Sequence, residues 1–247
     1  MTLYEFEGYI QSIYLVEYPH GLLLLDGACR ADVPVIIDFI TTKLNRPASD
    51  LKLVVSTHMH PDHAGAATKL KQLTGCKIAA GAQVKQWYSG LDGILMYLTD
   101  MLLAHWVAGR KNKKKQSLWY PRKLQPDYYL TNGQILPGFD DWQTVTTHGH
   151  TDRDISLYHQ QSDKIYVADL VVIVKGQYTS PFPVFHPNRY KESLQNVCDL
   201  NVNTVILAHG GERQISKQQW QTLIDNAPNK PATHWRSVKK KLAKALT

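Results

Sequence analysis

The run His58-Met59-His60-Pro61-Asp62-His63 places three imidazoles and one carboxylate within six positions. A metal ion needs several such donors aimed at one point, and a loop leaving a buried strand can supply them close together in sequence. Pro61 stiffens the backbone between them. An ordinary polar loop has no reason to concentrate histidine in this way. The sequence contains no Gly-x-Ser-x-Gly elbow or P-loop that would offer a competing chemistry.

The elements around this run are those needed to position it. Leu51 to Ser56 (LKLVVS) is short, apolar and β-branched, which predicts a buried strand that ends just before His58. Upstream, Leu3 to Glu7, Ile10 to Glu17 and Leu22 to Asp26 predict successive antiparallel strands, and Val33 to Leu44 carries Val33, Ile36, Ile37 and Ile40 at helical spacing. Downstream, helices are predicted over Ala64 to Leu73, with Gly75 as the stop, and over Ala82 to Tyr88, with a strand at Lys77 to Ala80 between them. Strands resume at Tyr128 to Leu130, Gln143 to Thr147, Ser156 to His159, Lys164 to Val167 and Thr204 to Leu207. Helices are predicted at Tyr190 to Leu200 and Ser216 to Asn226. Strands grouped in each half with helices between them predict an α+β chain, two sheets packed face to face under outer helices.

The segment STHMHPDHAGA resembles the THxHxDHxG signature of the metallo-β-lactamase superfamily, placed after an apolar strand and before a helix as in that family. The resemblance implies an αββα sandwich of two mixed β-sheets with helices on the outside, and a two-metal site. Thr147-His148-Gly149-His150-Thr151 matches the family's GHT element, which makes His150 a ligand and leaves His148 where proline is usual. Asp169, after the strand Ile165 to Ala168, matches the bridging aspartate, and His209, after Val205 to Ala208, matches the last histidine. The implied set is His58, His60 and His150 on one metal, Asp62, His63 and His209 on the other, and Asp169 shared. Zinc is the first choice for such donors, with iron, manganese or cobalt able to take its place. Asp26, ending the strand LLLLDG, resembles the family's acidic residue that orients a ligand histidine; it could equally begin a turn before Gly27.

In such a site two divalent ions hold a bridging hydroxide ready to attack an electrophilic carbonyl. Asp62 and Asp169 are the catalytic candidates, Asp62 to handle the proton and Asp169 to fix the geometry. The family's true β-lactamases usually carry Cys or Ser in place of the shared aspartate. Retention of Asp169 points instead to lactone, ester or thioester hydrolysis, as in acyl-homoserine-lactone lactonases and glyoxalase II. Only 38 residues follow His209, too few for the latter's glutathione-binding domain. β-Lactam cleavage and a phosphodiesterase or nuclease activity on nucleic acid are the alternatives. Tyr178, Phe182, Phe185 and His186, in the loop after Asp169, are candidates to line the substrate pocket, or simply pack around Pro181, Pro183 and Pro187.

At 247 residues the chain predicts one domain, 1–247. Cys29, Cys76 and Cys198 form no CxxC pair and come in an odd number, which argues against a disulfide framework or a thiolate zinc site and predicts a cytoplasmic protein. The N-terminus has no basic segment followed by an apolar one, and no stretch of 18 uncharged apolar residues occurs.

The net charge of +7 comes from two patches. Residues 101–126 hold seven Lys and Arg and no acid, residues 226–247 hold six and none, and the remainder has 15 basic against 21 acidic. The first patch lies in an insertion of about 90–125, which begins with a segment predicted to be helical. There Ile94, Leu95, Leu98, Met101, Leu102, His105 and Trp106 share a face broadened by Tyr97, Leu103 and Val107. Three readings fit the 90–110 segment: a core or homodimer-interface helix, a lid over an acyl pocket, or a contact with an anionic membrane surface, which would make the protein peripheral at the membrane. The second patch predicts a basic amphipathic helix at about 232–246, with Trp235, Val238, Leu242 and Leu246 on one stripe.

Overall fold

The computed structural model describes residues 1–83 and 85–233. The tail helix predicted at about 232–246 therefore lies almost wholly outside the described residues. The chain forms two compact units, Met1–Asp140 and the part from Asp141 onward.

The first unit is built on a six-stranded mixed sheet. Strands β1 (Thr2–Glu7), β2 (Ser12–Tyr18) and β3 (Gly21–Leu24) pair antiparallel, the β2–β3 turn being Pro19-His20. Strands β4 (Leu51–Ser56), β5 (Lys77–Gly81) and β6 (Tyr128–Leu130) continue the sheet in parallel register. Parallel neighbours need crossover connections, and helices supply them. Helix α1 (Val33–Asp38) runs on through a widened turn at Phe39–Lys43, between β3 and β4. Helices α2 (Pro61–Ala64) and α3 (Ala67–Thr74) link β4 to β5, and α4 (Gly90–Arg110) links β5 to β6. Leu22, Leu24, Val54 and Ile78 of the sheet share a core with Ile36, Ile40 and Leu70 of these connections. Gly75, at φ +77°, ends α3 with its N–H on the Lys71 carbonyl, as the sequence predicts.

One expectation fails in this unit. Among the described residues, 82–89 form no helix. Gln86 instead exchanges hydrogen bonds with the backbone of Leu124, at 2.9 and 3.2 Å, and Arg122 holds the Tyr88 carbonyl. These bonds outweigh the weak local preference for helix.

Helix α4 forms, as its helical spacing predicts. It buries Gly93, Tyr97, Asp100, Met101, Ala104 and Ala108, while Leu91, Ile94, Leu95, Leu98, Leu102 and Trp106 are exposed. Of the seven residues that share the predicted apolar face, Met101 is buried, His105 is half-buried and the other five are exposed. Glycine and alanine let this side approach its neighbours closely. Hydrogen bonds satisfy the polar groups there: Tyr88 Oη donates to Asp100 Oδ2 at 2.8 Å and Tyr97 Oη to the Tyr120 carbonyl at 2.7 Å.

A second mixed sheet begins with the hairpin β7 (Ile135–Leu136) and β8 (Phe139–Thr146), and the second unit supplies the rest. Its strands β9 (Ile155–His159) and β10 (Lys164–Tyr166) continue antiparallel. Apart from it, β11 (Val172–Val174) and β12 (Gln177–Thr179) make a separate small hairpin. After α5 (Pro187–Asp199) the chain returns as β13 (Thr204–Leu207), parallel to β10, then β14 (Gly211–Arg213) and α6 (Lys217–Asp225). Ile165, Val167, Val205 and Leu207 pack with Tyr190, Leu194 and Val197 of α5 and Trp220 and Leu223 of α6. Ser216 caps α6 reciprocally with Gln219. Two mixed sheets with helical connections make this an α+β fold.

Candidate metal centre

In the first unit the chain leaves β4 at Ser56 and turns at once into the histidine run, at the carboxyl end of a parallel strand where α/β sheets place their ligands. His58, His60 and His63 are all buried. His58 Nε2 and His60 Nδ1 stand 3.0 Å apart, and His63 Nε2 lies 3.6 Å from Asp62 Oδ2. His60 caps α2 and Pro61 opens it, so Asp62 and His63 sit within its single turn.

Asp26, at the end of β3, organises this half. Its carboxylate receives the Gly27 N–H at 2.9 Å, the Thr57 N–H at 3.2 Å and the Thr57 hydroxyl at 2.9 Å, and lies 2.6 Å from His63 Nδ1. A proton held on His63 Nδ1 leaves the Nε2 lone pair for a metal. Thr57 Oγ1 also approaches His58 Nδ1, at 3.2 Å, which orients the second ring. Gly27 has to be glycine, because a Cβ there would collide with the His63 carbonyl that accepts its N–H. Of the two readings of Asp26, the orienting one fits these contacts.

Two contacts of this half have no signal in the sequence. Asp100, from α4, places Oδ2 3.7 Å from His60 Nε2. Its burial pushes its pKa up to about 7, against the hydrogen bond from Tyr88 that favours the ionised form. Tyr120 donates its hydroxyl to the Met59 carbonyl inside the run.

In the second unit, His150, Asp169 and His209 follow β8, β10 and β13 respectively. Asp169 presents a different oxygen to each histidine: Oδ2 is 3.7 Å from His150 Nε2 and Oδ1 is 3.4 Å from His209 Nε2. His150 Nδ1 lies 2.5 Å from the Pro183 carbonyl, which needs a proton on that nitrogen and directs Nε2 towards Asp169. The loop carrying His150 is held by Asp154, whose carboxylate receives the Gly149 and Thr151 N–H groups at 3.1 and 2.7 Å and the Thr151 hydroxyl at 2.7 Å. Burial raises the Asp154 pKa, and the His150 ring and the Thr151 donors offset that only in part. His148 is half-buried, which lowers its pKa and favours the neutral ring; its carbonyl accepts from Ser193.

The four pocket candidates scatter. Phe185 and His186 are tied by their backbone N–H groups to the carbonyls of His150 and Gly149, Phe182 is exposed, and Tyr178 lines a cavity of about 460 Å³ with Thr179, Gln219, Thr222 and Leu223.

Each unit therefore carries a cluster of imidazole and carboxylate donors with proton positions set by neighbouring oxygens. That donor chemistry fits divalent metal ions. Fold and donors together define a metal-dependent hydrolase. A family model described as the metallo-beta-lactamase superfamily matches residues 7–209, and the chain belongs to that superfamily.

Among curated proteins it is similar to the probable metallo-hydrolase YflN of Bacillus subtilis (strain 168), 20% identical over 228 residues, covering 81% of each chain. Among solved structures it is similar to the metallo-beta-lactamase family protein TTHA1429 from Thermus thermophilus, with a TM-score of 0.67 at 19% identity, covering 90% of this chain and 78% of that one. TTHA1623, solved in a di-iron-bound form, gives a TM-score of 0.59 at 18% identity over 88% of this chain and 96% of that one. At such identities these two likenesses show the fold alone.

Proposed function

We propose that the chain is a dinuclear hydrolase of a lactone, ester or thioester. His58, His60 and His150 hold one divalent ion, Asp62, His63 and His209 the other, and Asp169 is shared. The observation that carries this reading is Asp169 itself, whose Oδ2 lies 3.7 Å from His150 Nε2 and whose Oδ1 lies 3.4 Å from His209 Nε2, a place from which one carboxylate would serve ions held by both histidines. Zinc remains the first choice of metal, and the di-iron form of TTHA1623 makes iron the alternative. When bound, such a pair supplies Lewis acidity and brings the ionisation of water towards neutral pH.

The chain's own residues do the rest. Asp26 and the Pro183 carbonyl fix the protons of His63 and His150 on Nδ1, which leaves each Nε2 a lone pair that would hold a metal ion. Asp62, close to His63 and partly open to solvent, takes the proton released when water attacks the carbonyl and returns it to the leaving oxygen or sulfur. A carboxylate at position 169, where the family's β-lactamases usually carry Cys or Ser, supports acyl hydrolysis over β-lactam cleavage. The lid reading of α4 loses its support, because its apolar stripe lies on the side opposite Asp100 and so offers a surface rather than a wall beside His60.

The test combines metal quantitation with a panel of acyl lactones, esters, thioesters, β-lactams and phosphodiesters. The proposal expects about two metals per chain and turnover on the acyl substrates that disappears in His60→Ala and Asp169→Ala. Undiminished turnover after all metal is stripped would overturn it, as would turnover confined to phosphodiesters or β-lactams.

A further inference from the structure

Six large apolar side chains of α4, Leu91, Ile94, Leu95, Leu98, Leu102 and Trp106, fall on one side of the helix, and all six are exposed, Leu91 and Leu102 by 81% and 71%. Soluble surfaces carry apolar residues singly, and a contiguous stripe along a helix about 30 Å long calls for a covering partner. The charges beside the stripe indicate which partner. Arg110 stacks its guanidinium over Trp106, 5.0 Å from the ring centre, at the end of the stripe. Exposed Lys111, Lys114 and Lys115 follow, with Trp119, also exposed, just beyond. No acid occurs between residues 101 and 126.

We propose that α4 docks the protein on an anionic lipid surface. The helix lies flat, with Leu91, Leu95, Leu98, Leu102 and Trp106 at the boundary of headgroups and acyl chains and Arg110, Lys114 and Lys115 on lipid phosphates. Tryptophan with cationic neighbours at the edge of an apolar stripe suits that boundary.

The geometry rejects a spanning orientation. Although α4 has the length and composition of a membrane span, its inner side carries Asp100 and Tyr97, both hydrogen-bonded to the protein body. Withdrawing the helix into hydrocarbon would strip that carboxylate of its partners. A second copy fits less well than lipid. It would bring another Arg110 to Lys115 run, and the one acid on the outer part of α4, Asp92, is too little to match it.

The test is flotation of the metal-loaded full chain with vesicles of phosphatidylcholine alone or with about one-third phosphatidylserine, read together with tryptophan fluorescence. Binding to the anionic vesicles with a blue shift is expected, with much weaker binding to the neutral ones. The double substitution Leu98→Glu/Leu102→Glu should weaken binding about tenfold or more, and Lys114→Glu/Lys115→Glu should remove the preference for anionic lipid. Metal content and the circular dichroism spectrum should stay those of the parent. Failure of the parent to float with either vesicle would overturn the proposal. So would a dimer, seen by sedimentation, that the leucine double variant splits while no vesicle binding occurs; the stripe would then belong to a second copy.

Discussion

Asp100 Oδ2 lies 3.7 Å from Nε2 of His60, and it reaches that position from a helix 40 residues further along the chain. His60 turns its other nitrogen towards His58, so the Asp100 side chain near Nε2 is placed to orient the ring and raise its basicity when His60 acts as the proposed ligand. Asp100 is thus proposed as a positioning residue. Asp100→Ala is expected to lower metal affinity by about 10- to 100-fold, with a smaller loss in Asp100→Asn, which can keep the Tyr88 hydrogen bond. Competition titration with a chromophoric chelator reads the affinity directly. Equal affinities in parent and both variants would leave Asp100 a merely structural role.

Asp26 gathers three protein donors and one imidazole on a buried carboxylate. Asp26→Ala strands the Thr57 N–H, leaves the Gly27 N–H with the His63 carbonyl alone and frees the His63 ring, at a cost of about 2–4 kcal/mol. Chemical denaturation of the metal-free chain should show that loss. The metal-loaded chain should lose more, because His63 no longer keeps its Nδ1 proton and a misoriented ligand weakens the binding that stabilises the folded state. A variant equally destabilised with and without metal would confine Asp26 to the scaffold.

Gly149, next to the proposed ligand His150, has φ +145°, and a Cβ on it would collide with the backbone of Tyr190 in α5. Gly149→Ala must therefore displace either the loop or the helix, at about 2–4 kcal/mol. A lower thermal midpoint together with weakened metal binding is the expected outcome. Restoration of both by Tyr190→Gly is not expected, because the clash includes the Tyr190 backbone nitrogen and Cα.

Local features of the site were legible in the sequence and distant ones were not. The His58 to His63 run is local, and the strands before Asp169 and His209 announce themselves as short β-branched segments. Asp100 carries no such mark: its value comes from contact with a residue far away in sequence, and an acid among apolar neighbours on a helix looks like an outward-facing residue. Periodicity likewise marks the apolar stripe of α4 without saying what covers it, and packing chose the other side, where Gly93, Ala104 and Ala108 permit close approach. The helix expected at Ala82 to Tyr88 failed for a related reason, its backbone and side chains being bonded to Leu124 and Arg122. β11, β12 and β14, three residues each, are too short for alternation to register.

Asp127 pins β5 and the start of β6 through Lys71 at 2.6 Å, the Ile78 N–H at 2.9 Å and Lys77 at 3.3 Å. Burial by itself would raise its pKa, but these three donors outweigh it and bring the value from 3.8 down to about 2. A carboxylate with a depressed folded-state pKa stabilises the protein above the unfolded value, and that contribution is lost as pH falls from 3.8 through 2. The group lies near the surface, so screening limits it to about 0.5–1 kcal/mol. Urea denaturation of the metal-free chain should therefore show Asp127→Asn less stable than the parent at neutral pH. The gap should narrow steadily below pH 3.8, and shrink at neutral pH in about 1 M salt. A gap that persists unchanged into acid would mean that the amide disrupts packing instead, and that the ion pairs with Lys71 and Lys77 contribute nothing.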